Sequence, residues 1–308
     1  MIKVSIIIIC MNKLNNLYSC LDCIKNLTSI SFETIVVAYL FTKENLEKLR
    51  NDYPWIKIIE SNEIRGFAEN NNLAIKQAQG KFLLISNDDI EFKMPVIDKL
   101  VNCFNKVPNA AIISPVILNT DGSIQNSGKA QYGIWDYLLH TSGIRHFSTK
   151  NKNSRYCYQK GIFKTFNISG AFFMIKNEIM KELGYFDEKY FFCPEDIALS
   201  TLANEKGYSI YVDSSLDVYH HHGKTSSSIK EATMPAMEKG NLIFFTHNNK
   251  ILYFFTGTIV FFIYLIKFIF AKTKKSPIMC KASLNVMRSI FTYNTPKEIF
   301  IKYYKTLR

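Results

Sequence analysis

The sequence predicts an α/β fold: a mainly parallel sheet flanked by helices, followed by a helical, apolar and basic C-terminal region. Three observations predict it. From Val4 to Asp89, short apolar runs rich in β-branched residues alternate with stretches whose apolar residues recur at helical spacing. Such alternation argues for βαβ units and a sheet covered on both faces. The run Phe82–Ile85 stops abruptly at Asn87, Asp88 and Asp89, placing two carboxylates beyond the carboxyl end of a strand, where open α/β sheets bind ligands. Finally, the formal charge of +12 is unevenly placed: Lys267 to Arg308 holds ten Lys or Arg against the single acid Glu298, which is +9, so the preceding 266 residues contribute only +3.

The elements follow in order. Val4 to Cys10 reads as the first strand, and Asn12 opens a helix carrying Leu14, Leu17, Leu21 and Ile24. Glu33 to Val37 is a second strand, Leu46 and Leu49 mark a helix, and Ile56 to Ile59 is a third strand. Phe67 to Ala78 reads as a helix ended by Gly80. Beyond Asp89 the pattern loosens. Met94 to Phe104 is helical, Ala110 to Ile113 is a strand, and Asn119 to Gly122 is a turn. Trp135 to Tyr158, polar and aromatic without periodicity, reads as a loop. Phe166 to Ile175 is a strand containing Gly170, and Glu195 starts a helix directly after Pro194. Ser209 to Val212 is the next strand, and Val218-Tyr-His220 closes the body. The expected division is a catalytic domain over 1–226 and a C-terminal region over 227–308.

With 308 residues, 47% of them hydrophobic and 24 of them Phe, the chain can bury a large core and is not a disordered protein. Seven scattered cysteines show no disulfide-framework spacing, and Cys20-Leu-Asp-Cys23 falls within a helix with no second pair to complete a zinc site. A reducing cytoplasm fits. The N-terminus runs straight into a strand with no cleavage-site pattern, so no signal peptide is expected.

Adjacent carboxylates at a strand end repel each other unless a cation or proton intervenes. They also supply the hard oxygen ligands that Mg²⁺ or Mn²⁺ prefers, often alongside a substrate's phosphates. A solvated turn is the plainer reading of Asn87-Asp88-Asp89. Likewise, Glu195 and Asp196 sit where the helix dipole favours acids with or without a catalytic task.

Together the motifs resemble the family 2 glycosyltransferases, inverting enzymes of the GT-A fold that use nucleotide sugars. Val4-Ser-Ile-Ile-Ile-Ile-Cys-Met-Asn12 is similar to the first nucleotide-binding strand and its turn, with Met11 in the usual tyrosine's place. Gly66-Phe-Ala-Glu-Asn-Asn-Asn72 resembles the family's helix start, and Asn87-Asp88-Asp89 takes the place of its DxD-type metal motif. Ser169-Gly170-Ala171, Gly184-Tyr-Phe-Asp187 and Glu195-Asp196 match acceptor-side motifs. Val218-Tyr-His220 resembles the terminal histidine signal, and Asp121-Gly-Ser-Ile-Gln125 a segment of bacterial rhamnosyltransferase-like members. The likeness covers roughly residues 3–226.

It implies a nucleotide-sugar site at Asn12, Ala38, Gly66, Asn72, Asn87, Asp88 and Gly170. It further implies Mg²⁺ or Mn²⁺ at Asp89, with His220 reaching the metal or diphosphate. Asp196 is the implied base, with Glu195 beside it; an aromatic wall of Tyr190, Phe191 and Phe192 would raise that carboxylate's pKa. The family usually places Asp where this chain has Ala38, which removes an acceptor for the pyrimidine N3–H. The expected reaction moves a sugar from a UDP- or dTDP-linked donor to a hydroxyl of a glycan or polyprenyl-linked acceptor in surface polysaccharide synthesis. The alternative is an inactive GT-A-fold binding or scaffold subunit of a polysaccharide assembly complex. A nucleic-acid binder is not expected, because the body lacks a basic stripe. The oligomeric state stays open, a homo-oligomer included.

Ile251 to Ile266 is sixteen residues without a charge, followed by Lys267 and Phe268 to Ala271. A crossing needs about 20 apolar residues, so this length is borderline. Lysines on both sides favour a segment that lies in the membrane interface or dips in and returns, and the basic tail adds attraction to anionic lipid. A buried helical hairpin or a dimer contact is the other reading. The expected location is the cytoplasmic face of the inner membrane, held peripherally.

Overall fold

A computed structural model describes residues 2–107, 109–125, 127–144, 158–221 and 229–307. Within those limits they form two compact units. The first comprises residues up to 131, 158–187 and 196–221; the second comprises 132–144, 188–195 and 229–307.

The first unit is built on nine strands. β1 (Val4–Cys10) leads through α1 (Leu14–Leu27) to β2 (Phe32–Tyr39), then α2 (Lys43–Asp52), β3 (Lys57–Ser61), α3 (Phe67–Ile75) and β4 (Phe82–Asn87). These four strands are parallel, in the order β3-β2-β1-β4. Side chains alternate between faces: Ile6 and Ile8 join the core under α1, while Ile7 joins Ala74 and Ile75 of α3 on the other side. The chain leaves β1 toward β2 and returns beside it at β4, so the order reverses at the β1–β4 seam, where such sheets open a ligand crevice. Gly80 allows the close approach of the turn before β4: its N–H donates to Ser5 Oγ at 2.8 Å, and a Cβ there would run into the β1 backbone.

The short β5 (Ile90–Glu91) follows, then α4 (Val96–Lys106) and β6 (Ala110–Leu118). After α5 (Ile134–Ser142), which belongs to the second unit, come β7 (Ile162–Thr165), β8 (Phe172–Lys176), α6 (Asn177–Glu182), α7 (Glu195–Glu205) and β9 (Ser209–His220). β8 inserts antiparallel between β4 and β6, β9 runs parallel to β6, and β5 and β7 pair antiparallel with β9. Two expectations change. Gly170 lies in the turn before β8, not inside a strand. β9 runs unbroken for twelve residues, because a register shift lets its polar middle pass with Asp213 turned inward. There Asp213 accepts bonds from Cys103 Sγ (3.0 Å) and Ser215 Oγ (2.7 Å).

The second unit is helical: α5, α8 (Lys230–Phe245), α9 (Lys250–Thr273), α10 (Pro277–Ser289) and α11 (Pro296–Tyr304). α5 replaces the front of the loop expected from Trp135 onward; residues 145–157 of that stretch lie outside the described residues. α9 is one uninterrupted helix of 24 residues, about 36 Å at 1.5 Å per residue, so it is long and apolar enough to cross a membrane by length and composition. That removes the borderline length: the helix continues through Lys267, whose ammonium lies 4.6 Å from the Tyr264 ring centre. Val260 and Tyr264 pack with Tyr137 of α5, Phe245 of α8 and Ile290 beyond α10.

Residues 188–195 pack inside this unit. Phe191 lies 4.7 Å from Phe300 of α11 and Tyr190 lies 6.0 Å from Phe244 of α8, ring centre to ring centre. A Cβ on Gly240 would collide with the Cys193 carbonyl oxygen, so α8 can approach this segment only through a glycine. The six described cysteines are all free thiols.

Candidate functional site

The β1–β4 seam gathers Asn12, Asn87, Asp88 and Asp89, and His220 of β9 meets them there. Asn12 does not open α1. It sits just past β1 in the left-handed region (φ 54°), which Asn tolerates better than most residues, and α1 begins at Leu14. Its Oδ1 accepts from Thr42 N–H (3.1 Å) and Asn45 Nδ2 (2.9 Å), tying the turn after β1 to the start of α2. Ala38 lies buried near the end of β2, in register with Cys10 of β1 and Glu60 of β3. Gly66 caps α3, and Glu69 accepts its N–H at 3.0 Å.

Asn72 stands apart. It is buried, and its amide clasps the Phe186 backbone both ways, donating at 2.9 Å and accepting at 3.1 Å. The geometry gives it a fastening task between α3 and the chain after α6.

At the end of β4, Asn87 N–H donates to Ala171 O at 2.8 Å, so β8 fixes where the acidic turn begins. Burial pushes the Asp88 carboxyl up to about 6, and the neighbouring Asp89 charge adds to the rise while a Cys10 thiol hydrogen bond opposes it. Asp89 is 5% exposed, and its Oδ1 lies 3.2 Å from Nε2 of His220. Asn87 Nδ2 lies 3.1 Å from the same nitrogen. The β5–β9 ladder makes this meeting possible, pairing Ile90 with His220 and bringing His221 N–H onto the Asp89 carbonyl at 3.1 Å.

Gln125 orients the imidazole, a task the sequence did not assign. Its amide nitrogen donates to the backbone oxygens of Leu118 (3.3 Å) and His220 (3.1 Å), which turns its Oε1 toward His220 Nδ1 at 3.1 Å. Nδ1 therefore carries the proton. Nε2 then faces both the Asn87 amide, which can donate to its lone pair, and Asp89 Oδ1. The signal in the sequence is Asp121-Gly-Ser-Ile-Gln125, whose pattern does not by itself mark Gln125 as a partner of His220.

Beside Asp89 opens a cavity of about 290 Å³, lined by Asn15, Asn16 and Ser19 of α1 together with Asp89, Glu91 and His221. Glu91 and His221, 3.0 Å apart, were also missed. Among the described residues no three His, Cys, Asp or Glu side chains converge closely enough to hold one ion by themselves.

Asp196 occupies the first turn of α7. Its Oδ2 accepts the Gly170 N–H at 3.0 Å, so the acid is set against the turn before β8. Glu195, the residue before it, is buried and groups with the helical unit. The expected aromatic wall is engaged there too: Tyr190 and Phe191 are buried against α8 and α11.

A doubly wound sheet with an acidic turn at its switch point and a histidine strand closing on that turn defines a glycosyltransferase of the GT-A type. The chain belongs to glycosyl transferase family 2, whose model matches residues 5–184. It is 24% identical over 168 residues to an N-acetylglucosaminyl-diphospho-decaprenol L-rhamnosyltransferase of Mycobacterium tuberculosis, covering 53% of this chain and 54% of that one. It is 23% identical over 203 residues to the O-antigen biosynthesis protein RfbC of Myxococcus xanthus, covering 65% of this chain and 15% of that one. The match therefore spans about half of the first relative and a small part of the second. In fold, the chain is similar to the mannosyltransferase PcManGT of Pyrobaculum calidifontis, solved with GDP-Man and Mn²⁺ (TM-score 0.52, 14% identity, 99% of this chain and 86% of that one). It is also similar to GalNAc-T7, solved with UDP, GalNAc and Mn²⁺ (TM-score 0.57, 16% identity, 72% and 44%).

Proposed function

We propose that this protein transfers a sugar, with inversion, from a UDP- or dTDP-linked donor to a hydroxyl of a glycan or polyprenyl-linked acceptor in cell-envelope polysaccharide synthesis. The observation that carries the reading is the Asp89–His220 pair at the β1–β4 seam, 3.2 Å apart and oriented by Gln125. A hard carboxylate oxygen and an imidazole nitrogen suit Mn²⁺ or Mg²⁺, whose remaining positions are commonly filled by phosphate oxygens and water. Bound there, such an ion would offset the negative charge that develops on the departing diphosphate. Asn12, Ala38, Gly66, Asn87 and Asp88 border the nucleotide sugar, and Gly170 lines its sugar end.

Asp196 takes the proton of the attacking hydroxyl. The Gly170 N–H on its Oδ2 fixes the plane of that carboxylate. Catalytic residues cover 1–226 in this reading, and the region 227–308 holds the protein peripherally on the cytoplasmic face of the inner membrane. The apolar length of α9 and the lysines around it support that placement.

The test is a hydrolysis and transfer screen with UDP-, dTDP- and GDP-sugars, with and without Mn²⁺, on the wild type and Asp89→Ala. Turnover by the wild type that is lost in the folded variant is expected; full turnover by Asp89→Ala, or in excess chelator, would remove the metal role. Ala38 favours a second reading, a subunit that keeps the fold without transferring. A nucleoside-diphosphate titration with Mn²⁺ separates the two, since the active reading requires binding; Ala38→Asp should then sharpen the preference for uridine or thymidine.

A further inference from the structure

Seen from outside, α9 carries an apolar stripe. Ile251, Phe255, Ile259, Phe262, Ile266 and Ile269 are all more than two-fifths exposed. At 100° per residue they fall within about 80° of the helix circumference. The opposite face is committed to protein: Thr256, Gly257, Val260 and Tyr264 are buried, and Gly257 packs against Ile290 and Phe291. Lys267, which interrupts the apolar run in the sequence, turns toward that committed face and leaves the stripe unbroken.

α5 adds a second apolar element. Tyr137 and Leu138 pack into the same cluster as Val260 and Tyr264, while Trp135 is 72% and Leu139 39% exposed on the other side of the helix. The acid of α5, Asp136, is buried, where it accepts the Gly133 N–H at 3.0 Å.

The charges say what covers this surface. Between Glu238 and Glu298 the chain has no acid and nine Lys or Arg. Exposed lysines stand at both ends of the stripe, Lys250 at one and Lys272, Lys274 and Lys275 at the other. A second copy meeting this face would set like charges against each other, whereas an anionic lipid surface supplies the complement. A crossing helix is disfavoured as well: α9 would have to carry α8 with Glu238 and Lys239, and α10 with Lys281, into hydrocarbon.

The geometry points to a two-helix membrane-docking face: α9 lies in the plane of an anionic bilayer with its stripe in the acyl boundary, and α5 inserts Trp135 at headgroup level beside it. This inference rests on the peripheral-membrane reading and adds to it the face, the orientation and the contribution of α5. Trp is at home at headgroup depth because its ring is apolar while its N–H stays wet.

The experiment uses the full chain with Trp55→Phe, which leaves Trp135 as the sole tryptophan. Vesicles of phosphatidylglycerol and phosphatidylcholine are compared with phosphatidylcholine alone. Expected are flotation with the anionic vesicles, a blue shift of Trp135 emission, and quenching by lipids brominated on the acyl chain. Ile266→Glu, at an exposed position, should keep the thermal transition and weaken binding at least tenfold. Lys272, Lys274 and Lys275 changed together to Gln should weaken it by about 10²-fold at low salt. Absence of flotation would overturn the peripheral-membrane reading itself. Flotation with Trp135 emission unchanged, or with the C-terminus protease-accessible only from inside vesicles that carry the protein outside, would overturn the in-plane face and leave membrane attachment standing. A vesicle-free dimer that already shields Trp135 would assign the face to a second copy and overturn the lipid.

Discussion

The two units distribute polarity in opposite ways. The sheet unit keeps Ile, Val, Leu and Phe inside and sets the acids of its candidate site just past β4, where Asp89 borders a cavity. The helical unit reverses this. Its interior holds Glu238, accepting from the hydroxyls of Tyr137 (2.6 Å) and Tyr264 (2.7 Å), and Lys239, donating to the Ile290 (3.1 Å) and Thr292 (2.6 Å) carbonyls. Phe and Ile stand on its surface. Water rewards the first arrangement and penalises the second, because exposed apolar area costs roughly 25 cal/mol per Å². Under the proposed peripheral attachment, each unit would be matched to its own solvent, one to water and one to the edge of lipid.

The comparison can be broken at its catalytic end first. Asp196→Asn keeps the shape and removes the proton acceptor, so transfer should fall by about 10² to 10⁴-fold while nucleotide binding persists. Loss of binding with near-normal turnover at saturation would instead mean that Asp196 only holds the Gly170 turn. On the helical side, Phe300→Ala deletes a buried ring that touches both Phe191 and Phe192. It should cost about 3–5 kcal/mol, seen in denaturant titration followed by near-ultraviolet dichroism. A change within 0.5 kcal/mol would show that segment 188–195 does not depend on α11.

Two smaller effects sharpen the contrast. Gln125→Ala frees the His220 ring, and Mn²⁺ affinity by calorimetry should drop by roughly 10 to 100-fold with the fold intact. Unchanged affinity would take His220 out of the site. Glu238→Gln tests the buried polarity of the helical unit. Burial raises the Glu238 pKa, only partly offset by the two tyrosine hydrogen bonds. The folded protein therefore binds this proton more tightly than the unfolded chain, and the group's contribution is greatest at low pH and falls as pH rises through the unfolded and then the folded pKa. The variant does not titrate, so it should gain on the wild type in thermal stability from about pH 4 toward neutrality. A gap that shrinks with rising pH would mean the ionised form is the favoured one.

Much of the sheet unit was legible because its elements have clean periods. β1, α1, β4 and the acidic turn lie where the apolar pattern puts them, since strands buried on both faces read as continuous runs. α5 was not legible, and the reason is its outer face: Trp135 and Leu139 sit where a water-facing helix would show polar residues, so the 3.6-residue contrast disappears. The unbroken β9 was hidden by Asp213, Ser214 and Ser215, whose polarity is absorbed by Cys103 and by bonds within the bulge. At the site, Asp89 and His220 could be named singly from motifs, but their 3.2 Å meeting and the part of Gln125 depend on strand pairing across 131 and 95 residues of chain. Local pattern carries no record of such pairings.

The placement of residues 188–195 bears on how such enzymes can be recombined. The chain visits the helical unit three times, at 132–144, at 188–195 and from 229 onward, and the middle visit ends one residue before Asp196. A chimera joined at a single crossover after β9 would inherit a foreign partner for Phe191, Phe192 and Cys193. Grafting a new helical unit onto this scaffold, or this unit onto a relative, therefore requires three matched inserts. By the same logic, substitutions in α11 at Phe300 must be answered by substitutions at Phe191 or Phe192, just upstream of the acid.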